Sequence, residues 1–164
     1  MPDERNRPDS KFTPDDWLTP PWLIEAAGPF DLDPACAPSM PWRTAARMIA
    51  PPEDGLAVEW FGRVWLNPPY SSIMPWARRI AAHGDGLFLV PAKSPDTAWG
   101  QFTLANADAV LFAKGRLLFW YPDGTESAGK WSPSMLCAFG SRNVDCLRRL
   151  RDSVLPGQLY GRLA

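Results

Sequence analysis

The chain has 164 residues, is 46% hydrophobic and carries a formal net charge of -1 from 17 basic and 18 acidic side chains. That length buries one core, so the expected organisation is a flexible polar arm over residues 1–16 and one compact domain over 17–164. No stretch approaches the ~20 apolar residues of a membrane span, and the near-neutral balance excludes a global basic footprint for nucleic acid.

In chain order, Pro20-Pro21-Trp22-Leu23-Ile24-Glu25-Ala26-Ala27 reads as a short helix begun by prolines and ended by Gly28-Pro29. Phe30 to Asp33 reads as a first strand stopped by Pro34. Residues 37–53 hold four prolines and little periodicity, which predicts a long connection with at most a short helix near Thr44 to Met48. A buried strand over Arg63–Leu66 follows. Ser71 or Ser72 is placed to cap a helix through Trp76, Ala77, Ile80 and Ala81 to His83-Gly84. Leu87-Phe88-Leu89-Val90, between Gly86 and Pro91, has the uninterrupted apolar pattern of a central parallel strand.

Asp96 is expected to cap a helix through Trp99, Phe102, Leu104 and Ala105. Strands are expected at Ala109–Phe112, Leu117–Tyr121 and Ser134–Phe139, with a turn at Pro122-Asp123-Gly124. Val144, Leu147, Leu150 and Val154 recur at helical spacing and point to a C-terminal core helix. Alternating strands and helices predict an α/β fold with a mostly parallel sheet and an antiparallel edge.

Charge and cysteines bound the partners. Residues 1–16 sum to -2 and residues 140–164 to +3; Arg142, Arg148, Arg149 and Arg151 are either a phosphate-contacting patch or a solvated helix face. Cys36, Cys137 and Cys146 lack any C-x-x-C pairing and His83 stands alone, so neither a disulfide framework nor a metal site is expected. The polar start Met1-Pro2-Asp3-Glu4-Arg5-Asn6-Arg7 does not read as a signal peptide, which makes a cytoplasmic setting with no membrane partner the expectation.

The most informative segment is Val64-Trp65-Leu66-Asn67-Pro68-Pro69-Tyr70. Two successive prolines stop the strand, so Asn67 sits at its end, where open α/β sheets bind ligands. The Asn67 carboxamide oxygen and the Pro68 carbonyl are placed to accept hydrogen bonds from one exocyclic NH2 group, with Pro68 fixing the backbone beforehand. Such acceptors draw the nitrogen lone pair out of ring conjugation, and transfer from a sulfonium methyl donor then needs no metal or covalent intermediate. Tyr70 offers a flat face for a base removed from its stack, with Pro69 beside it. A Pro-rich turn after a strand is the alternative without function.

Asn67-Pro68-Pro69-Tyr70 resembles the catalytic tetrapeptide of amino-methyltransferases acting on adenine N6 or cytosine N4 of DNA. The whole chain, from about Thr19 to about Gly140, resembles the short phage and prophage DNA N6-adenine methyltransferases of the Dam type. The resemblance is carried by Thr19-Pro20-Pro21-Trp22, Phe30-Asp31-Leu32-Asp33-Pro34-Ala35-Cys36, Asp54-Gly55-Leu56, Trp60, Gly62 to Tyr70, Pro91-Ala92, Asp96-Thr97, Trp99, Gly115-Arg116-Leu117 and Pro133-Ser134.

It implies a Rossmann-like fold, S-adenosylmethionine as cofactor and DNA as substrate. It also implies that Thr19 and Pro20 close over the methionine end of the cofactor. Asp33, Pro34 and Ala35 would form the loop around it, with Asp33 meeting the ammonium. Asp54 would receive the adenine amine of the cofactor, with Glu53 as a neighbouring alternative and Gly55 making a sharp turn. Asp33 capping a turn and Asp54 as an exposed loop acid remain the structural alternatives.

The glycines that usually follow the D-P-A-C segment are replaced by Ala37-Pro38-Ser39, which motivates a cofactor-free nucleic-acid-binding protein as the reading from another class. Cytosine N4 or RNA methylation is the alternative within enzymes. Lys93 and Arg116, near strand ends, are candidates for substrate phosphates or plain surface charges. With no separate recognition domain, sequence reading falls to loops 37–53 and 122–132 or to a second subunit, or is loose.

Overall fold

A computed structural model of the protein describes residues 13–162, leaving aside the side chains of residues 14 and 128–131. Residues 1–12 of the expected arm lie outside the described residues. Pro14–Asp16 form a 3-10 helix closed by a reciprocal Thr13 and Asp16 capping box. The elements that follow are α1 (Pro21–Ala27), β1 (Leu32–Asp33), β2 (Arg47–Met48), β3 (Val64–Leu66), α2 (Ile73–His83), β4 (Gly86–Pro91) and α3 (Ala98–Asn106). Then come β5 (Ala109–Ala113), β6 (Leu117–Trp120), β7 (Glu126–Ser132), β8 (Ser134–Phe139), α4 (Ser141–Asp152) and β9 (Gly157–Gly161).

The main sheet has the order β2-β1-β3-β4-β8-β5-β9. β1 to β5 run one way and β8 and β9 the other, so the fold is α/β with a mixed, mostly parallel sheet. The antiparallel strands are not confined to an edge. β8 is buried throughout, and lies between β4 and β5 because its run Ser134–Phe139 can cover both faces of a central position. β9 alone forms the antiparallel edge. β6, expected in the sheet, instead pairs with β7 in a separate hairpin, so most of the expected loop 122–132 is strand.

The two sheet faces bury different side chains, as the alternation of a strand requires. Trp65, Leu87, Leu89 and Leu136 join Leu23 and Ala27 of α1 and Leu147 and Leu150 of α4 in one apolar cluster. Val64, Leu66, Phe88 and Val90 join Ile73, Ala77 and Ile80 of α2 in the other, against which Trp99 of α3 packs.

Several local expectations are corrected. Thr44 to Met48 holds no helix; Arg47–Met48 pairs with β1 as a parallel edge strand. Ser72 precedes α2 but its side chain caps nothing; the Ser71 N–H and hydroxyl are held by the Asp15 carboxylate instead. Thr97, not Asp96, caps α3, accepting from Gly100 N at 3.4 Å and donating to Ser94 O at 2.8 Å. Val154 lies beyond α4 and is 47% exposed. β9 was not expected at all.

The C-terminal arginines are largely committed within the protein. Arg142 is bonded to Asp85, beside the buried Arg63, Asn143 and Asp85 network, at the sheet edge opposite the ends of β1 and β3. Arg148 pairs with Asp145 and Arg151 with Asp152. Three of the four arginines of the expected patch thus each face a carboxylate at the surface.

Candidate active site

Chain order places β2 on one side of β1 and β3 on the other, so the strand order reverses between β1 and β3. A crevice opens at the carboxyl ends of two such strands, and ligands bind there in open α/β sheets. Asp33 ends β1, and Asn67 follows β3. Between them lies a cavity of about 500 Å3, within the ordinary range for small-molecule sites.

The cavity brings together most of the residues singled out in the sequence. Thr19, Asp33, Pro34, Ala35, Asp54, Asn67 and Pro69 all line it. Pro68, between Asn67 and Pro69, is buried. Pro20 is buried too and is used to start α1, its carbonyl accepting from Leu23 N at 3.1 Å. Tyr70 packs against the apolar cluster around α2, and its hydroxyl is buried with no hydrogen-bond partner. Burial, and secondarily the Asp15 charge, hold that phenol far above its usual range, so it is no proton acceptor. Lys93 and Arg116 lie outside the cavity.

Asn67 Nδ2 donates to Thr19 Oγ1 at 3.0 Å. Thr19 is almost fully buried, and its hydroxyl holds the amine end of the carboxamide. Oδ1 is left as the free acceptor.

Asp33 is buried as well. Its Oδ1 accepts from Ala35 N at 3.1 Å, and its Oδ2 from the Thr44 hydroxyl. Burial outweighs these two bonds and pushes its carboxyl up to about 6.

Asp54 Oδ1 accepts from Leu56 N at 2.9 Å in a tight turn, while Glu53 pairs with Arg47 at 3.1 Å. Gly55 is required for close approach, not for a special φ. A Cβ there would lie 1.7 Å from Pro34 O, so the Asp54 loop packs directly on the Asp33-Pro34 loop.

The lining contains residues that sequence reasoning missed. Asp15, Asp16 and Trp17 reach the cavity from the segment assigned to the flexible arm or its border. A legible signal existed: Thr13-Pro14-Asp15-Asp16 has the Thr, N1 proline and acidic N3 of a helix start. With Asp33, Glu53 and Asp54 they bring five carboxylates to the lining, against no Lys or Arg. A wall of that sign attracts a cationic ligand and repels phosphate. Loop 37–53 contributes Ala37, Pro38, Met40 and Ile49 to the same lining.

Among the described residues no group of three or more His, Cys, Asp or Glu is placed to hold a metal ion. No helix among them is long and apolar enough to cross a membrane. Cys36, Cys137 and Cys146 are buried and free.

Known proteins match this arrangement by sequence. The family model described as DNA N-6-adenine-methyltransferase (Dam) matches residues 8–143. The DNA N-6-adenine-methyltransferase of Haemophilus phage HP1 (strain HP1c1) is 30% identical over 142 residues, covering 79% of this chain and 80% of its own length. No solved structure matches. The matched span takes in Thr19, Asp33, Asp54 and Asn67-Pro68-Pro69-Tyr70, and with them the chain belongs to the phage-type Dam family of DNA N6-adenine methyltransferases.

Proposed function

We propose that the acidic cavity holds S-adenosylmethionine and that Asn67 presents the adenine amine to it within a Rossmann-like methyltransferase fold. The observation that carries this is the Asn67 amide, fixed by Thr19 with its oxygen left free, on the wall of a cavity lined by five carboxylates and no cation. An ammonium and a sulfonium both suit that wall. Asp33 would meet the ammonium with Pro34 and Ala35 forming its loop, and Asp54 at the rim would receive the adenine amine of the cofactor. When bound, the cofactor supplies an electrophilic methyl group on positively charged sulfur.

The chain's own residues do the rest. Asn67 Oδ1 and the Pro68 carbonyl accept hydrogen bonds from the target N6, restoring its lone pair as a nucleophile. These bonds strengthen as the nitrogen becomes positive, so they act mainly in the transition state. Tyr70, neutral and adjacent, stacks with the extruded base. Lys93, in the turn after β4, and Arg116, in the turn after β5, are exposed on the same sheet edge as Asn67 and have no carboxylate partner among the described residues. They are placed to contact phosphates. The β6–β7 hairpin, tied to the segment before Thr19 by the Leu18 and Trp120 backbone pair at 2.9 and 3.0 Å, supplies a recognition element. The setting is the cytoplasm of the host cell, where the DNA lies.

Incubating the protein with DNA and methyl-labelled S-adenosylmethionine, then digesting and weighing the nucleosides, tests the reading. N6-methyladenine is expected. N4-methylcytosine as the product, or no transfer, would overturn it.

A further inference from the structure

Away from the acidic cavity, the turn after β5 and the turn between α4 and β9 enclose a shallow groove of about 190 Å3. Trp22 and Val154 line it, together with the paired cations Lys114 and Arg116. The two turns are joined by Lys114 N donating to Pro156 O at 2.7 Å. Gly115, between the cations, has φ +79° with open space where a side chain would be. That left-handed conformation turns the chain sharply and leaves both neighbours exposed.

Four large hydrophobic residues are substantially exposed among the described residues, and Trp22, at 39%, and Val154, at 47%, are two of them. Finding both in one groove, beside two cations with no carboxylate partner among the described residues, is a nucleotide-binding pattern. A π face takes a base of any sequence, and the cations take its phosphates.

The groove is near the reacting amine. It lies at the turn after β5, at the same end of the sheet as Asn67 after β3, and β5 stands three strands from β3 in the order β3-β4-β8-β5, about 14 Å at about 4.8 Å per strand. At about 3.4 Å per nucleotide along one strand, that distance is about four steps from the target.

We propose that this groove holds a nucleotide of the DNA about four steps from the target adenine, its base, unpaired, against the Trp22 indole and its phosphates at Lys114 and Arg116. The inference rests on the placement of the target amine at Asn67. It gives a protein of net charge -1 a second point of grip on the strand, which it needs in order to hold DNA while one base is extruded. Being sequence-tolerant, the grip sets affinity and strand path, not the recognition sequence.

The test compares wild type with Trp22→Ala on a single-stranded oligonucleotide containing the target adenine, and on eight copies of it, each with one abasic position at one to four steps on either side of the target. Binding is read by fluorescence anisotropy. Trp22→Ala is expected to weaken binding to the intact oligonucleotide about tenfold, within the range for one stacked base. One abasic position should weaken wild type to the same degree and cost Trp22→Ala nothing further. Lys114→Gln with Arg116→Gln should reduce the slope of log affinity against log salt by about 1.4, for two phosphates of a single strand.

Cofactor affinity and kcat at saturating DNA should be unchanged in Trp22→Ala, since the side chain touches neither. Unchanged DNA affinity, or an equal abasic loss at all eight positions in both proteins, overturns the proposal. So does a loss of cofactor affinity in Trp22→Ala. A wild-type product other than N6-methyladenine would overturn the reading of the Asn67 site while leaving this strand-binding comparison intact.

Discussion

Replacing Asp33 by Asn separates what this carboxylate does for the ligand from what it costs the fold. The shape is kept: an amide oxygen can accept from Ala35 N, and the amide NH2 can donate to a reversed Thr44 hydroxyl, the two partners the carboxylate has now. Only the buried charge is lost. Burial raises the Asp33 carboxyl from 3.8 to about 6, which at 1.36 kcal/mol per pH unit means that the ionised form disfavours the folded state by about 3 kcal/mol. Between pH 4 and 6 the folded protein binds the proton that the unfolded chain has released. Stability from this group is therefore full below about pH 4, falls as pH rises to about 6, and stays at the lower level above.

Asp33→Asn should abolish that decline and, at pH 7.5, be more stable than wild type by about 1–2 kcal/mol, the remainder being lost to weaker neutral hydrogen bonds. Urea denaturation of both proteins without ligand at several pH values from 4.5 to 7.5 measures the difference. Calorimetry supplies the other half. The substitution should weaken S-adenosylmethionine binding at pH 7.5 by about 1.5–3 kcal/mol, the scale of a charge-assisted hydrogen bond. Wild-type affinity should fall about tenfold per pH unit below 6, whereas the variant's should not. An Asp33→Asn protein that is destabilised at pH 7.5, keeps the wild-type pH slope and binds the cofactor normally would refute the reasoning.

Asn67→Ala should remove most of kcat with cofactor affinity unchanged by calorimetry, and Asn67→Asp, which keeps an acceptor, should retain part of it. Thr19→Val removes the acceptor that orients Asn67 and should lower kcat about tenfold or more with little change in KM, with Thr19→Ser restoring it; equal loss in both variants would make Thr19 a packing residue only. Gly55→Ala should be destabilising by several kcal/mol or fail to fold in thermal melts, because the added carbon meets the Pro34 backbone. Arg142→Gln should leave DNA affinity and its salt slope unchanged, since that guanidinium is held by Asp85 away from the site, while Lys93→Gln should reduce the slope by about 0.9.

The parts of this protein that were legible in its sequence are those fixed by local chemistry. Val64-Trp65-Leu66 had to be a buried strand and Pro68-Pro69 had to end it. Gly84, with φ +77°, had to stop α2. What escaped depends on contacts distant along the chain. Arg47–Met48 is a strand only because Asp31 and Asp33 carbonyls accept from Arg47 N and Ile49 N at 2.9 and 2.8 Å. β9 has a glycine at each end and little apolar character; it exists because the open side of β5 accepts it, and Gly157 is needed since a Cβ would lie 2.1 Å from Phe112 O. The central position of β8 was readable in principle from its unbroken apolar run, but a run of that kind fits a parallel or an antiparallel central strand equally. In the site, Asp33, Asp54 and Asn67 were found by motif, whereas Asp15 and Asp16 fell in a segment whose polarity reads as a loose arm. Their fixed geometry comes from a capping box and from Ser71, 56 residues away in sequence.

Net charge misleads here because it averages over a segregated surface. Five carboxylates line the cavity at the β1 and β3 ends, while the turns after β4 and β5 carry Lys93, Lys114 and Arg116 on the same sheet edge. A total of -1 is then compatible with gripping a polyanion, provided that the strand runs along the cationic turns and meets the acidic cavity only where an uncharged base enters. The same segregation sets a direction for exchange. In the proposed complex, loss of a methyl group from the sulfonium would remove one positive charge from a ligand beside carboxylates, so these groups would attract the spent cofactor less than the fresh one. Above about pH 6, where Asp33 is ionised, a cation beside it would offset the penalty on the folded protein, which would tie the stability of this end of the sheet to occupation of the site.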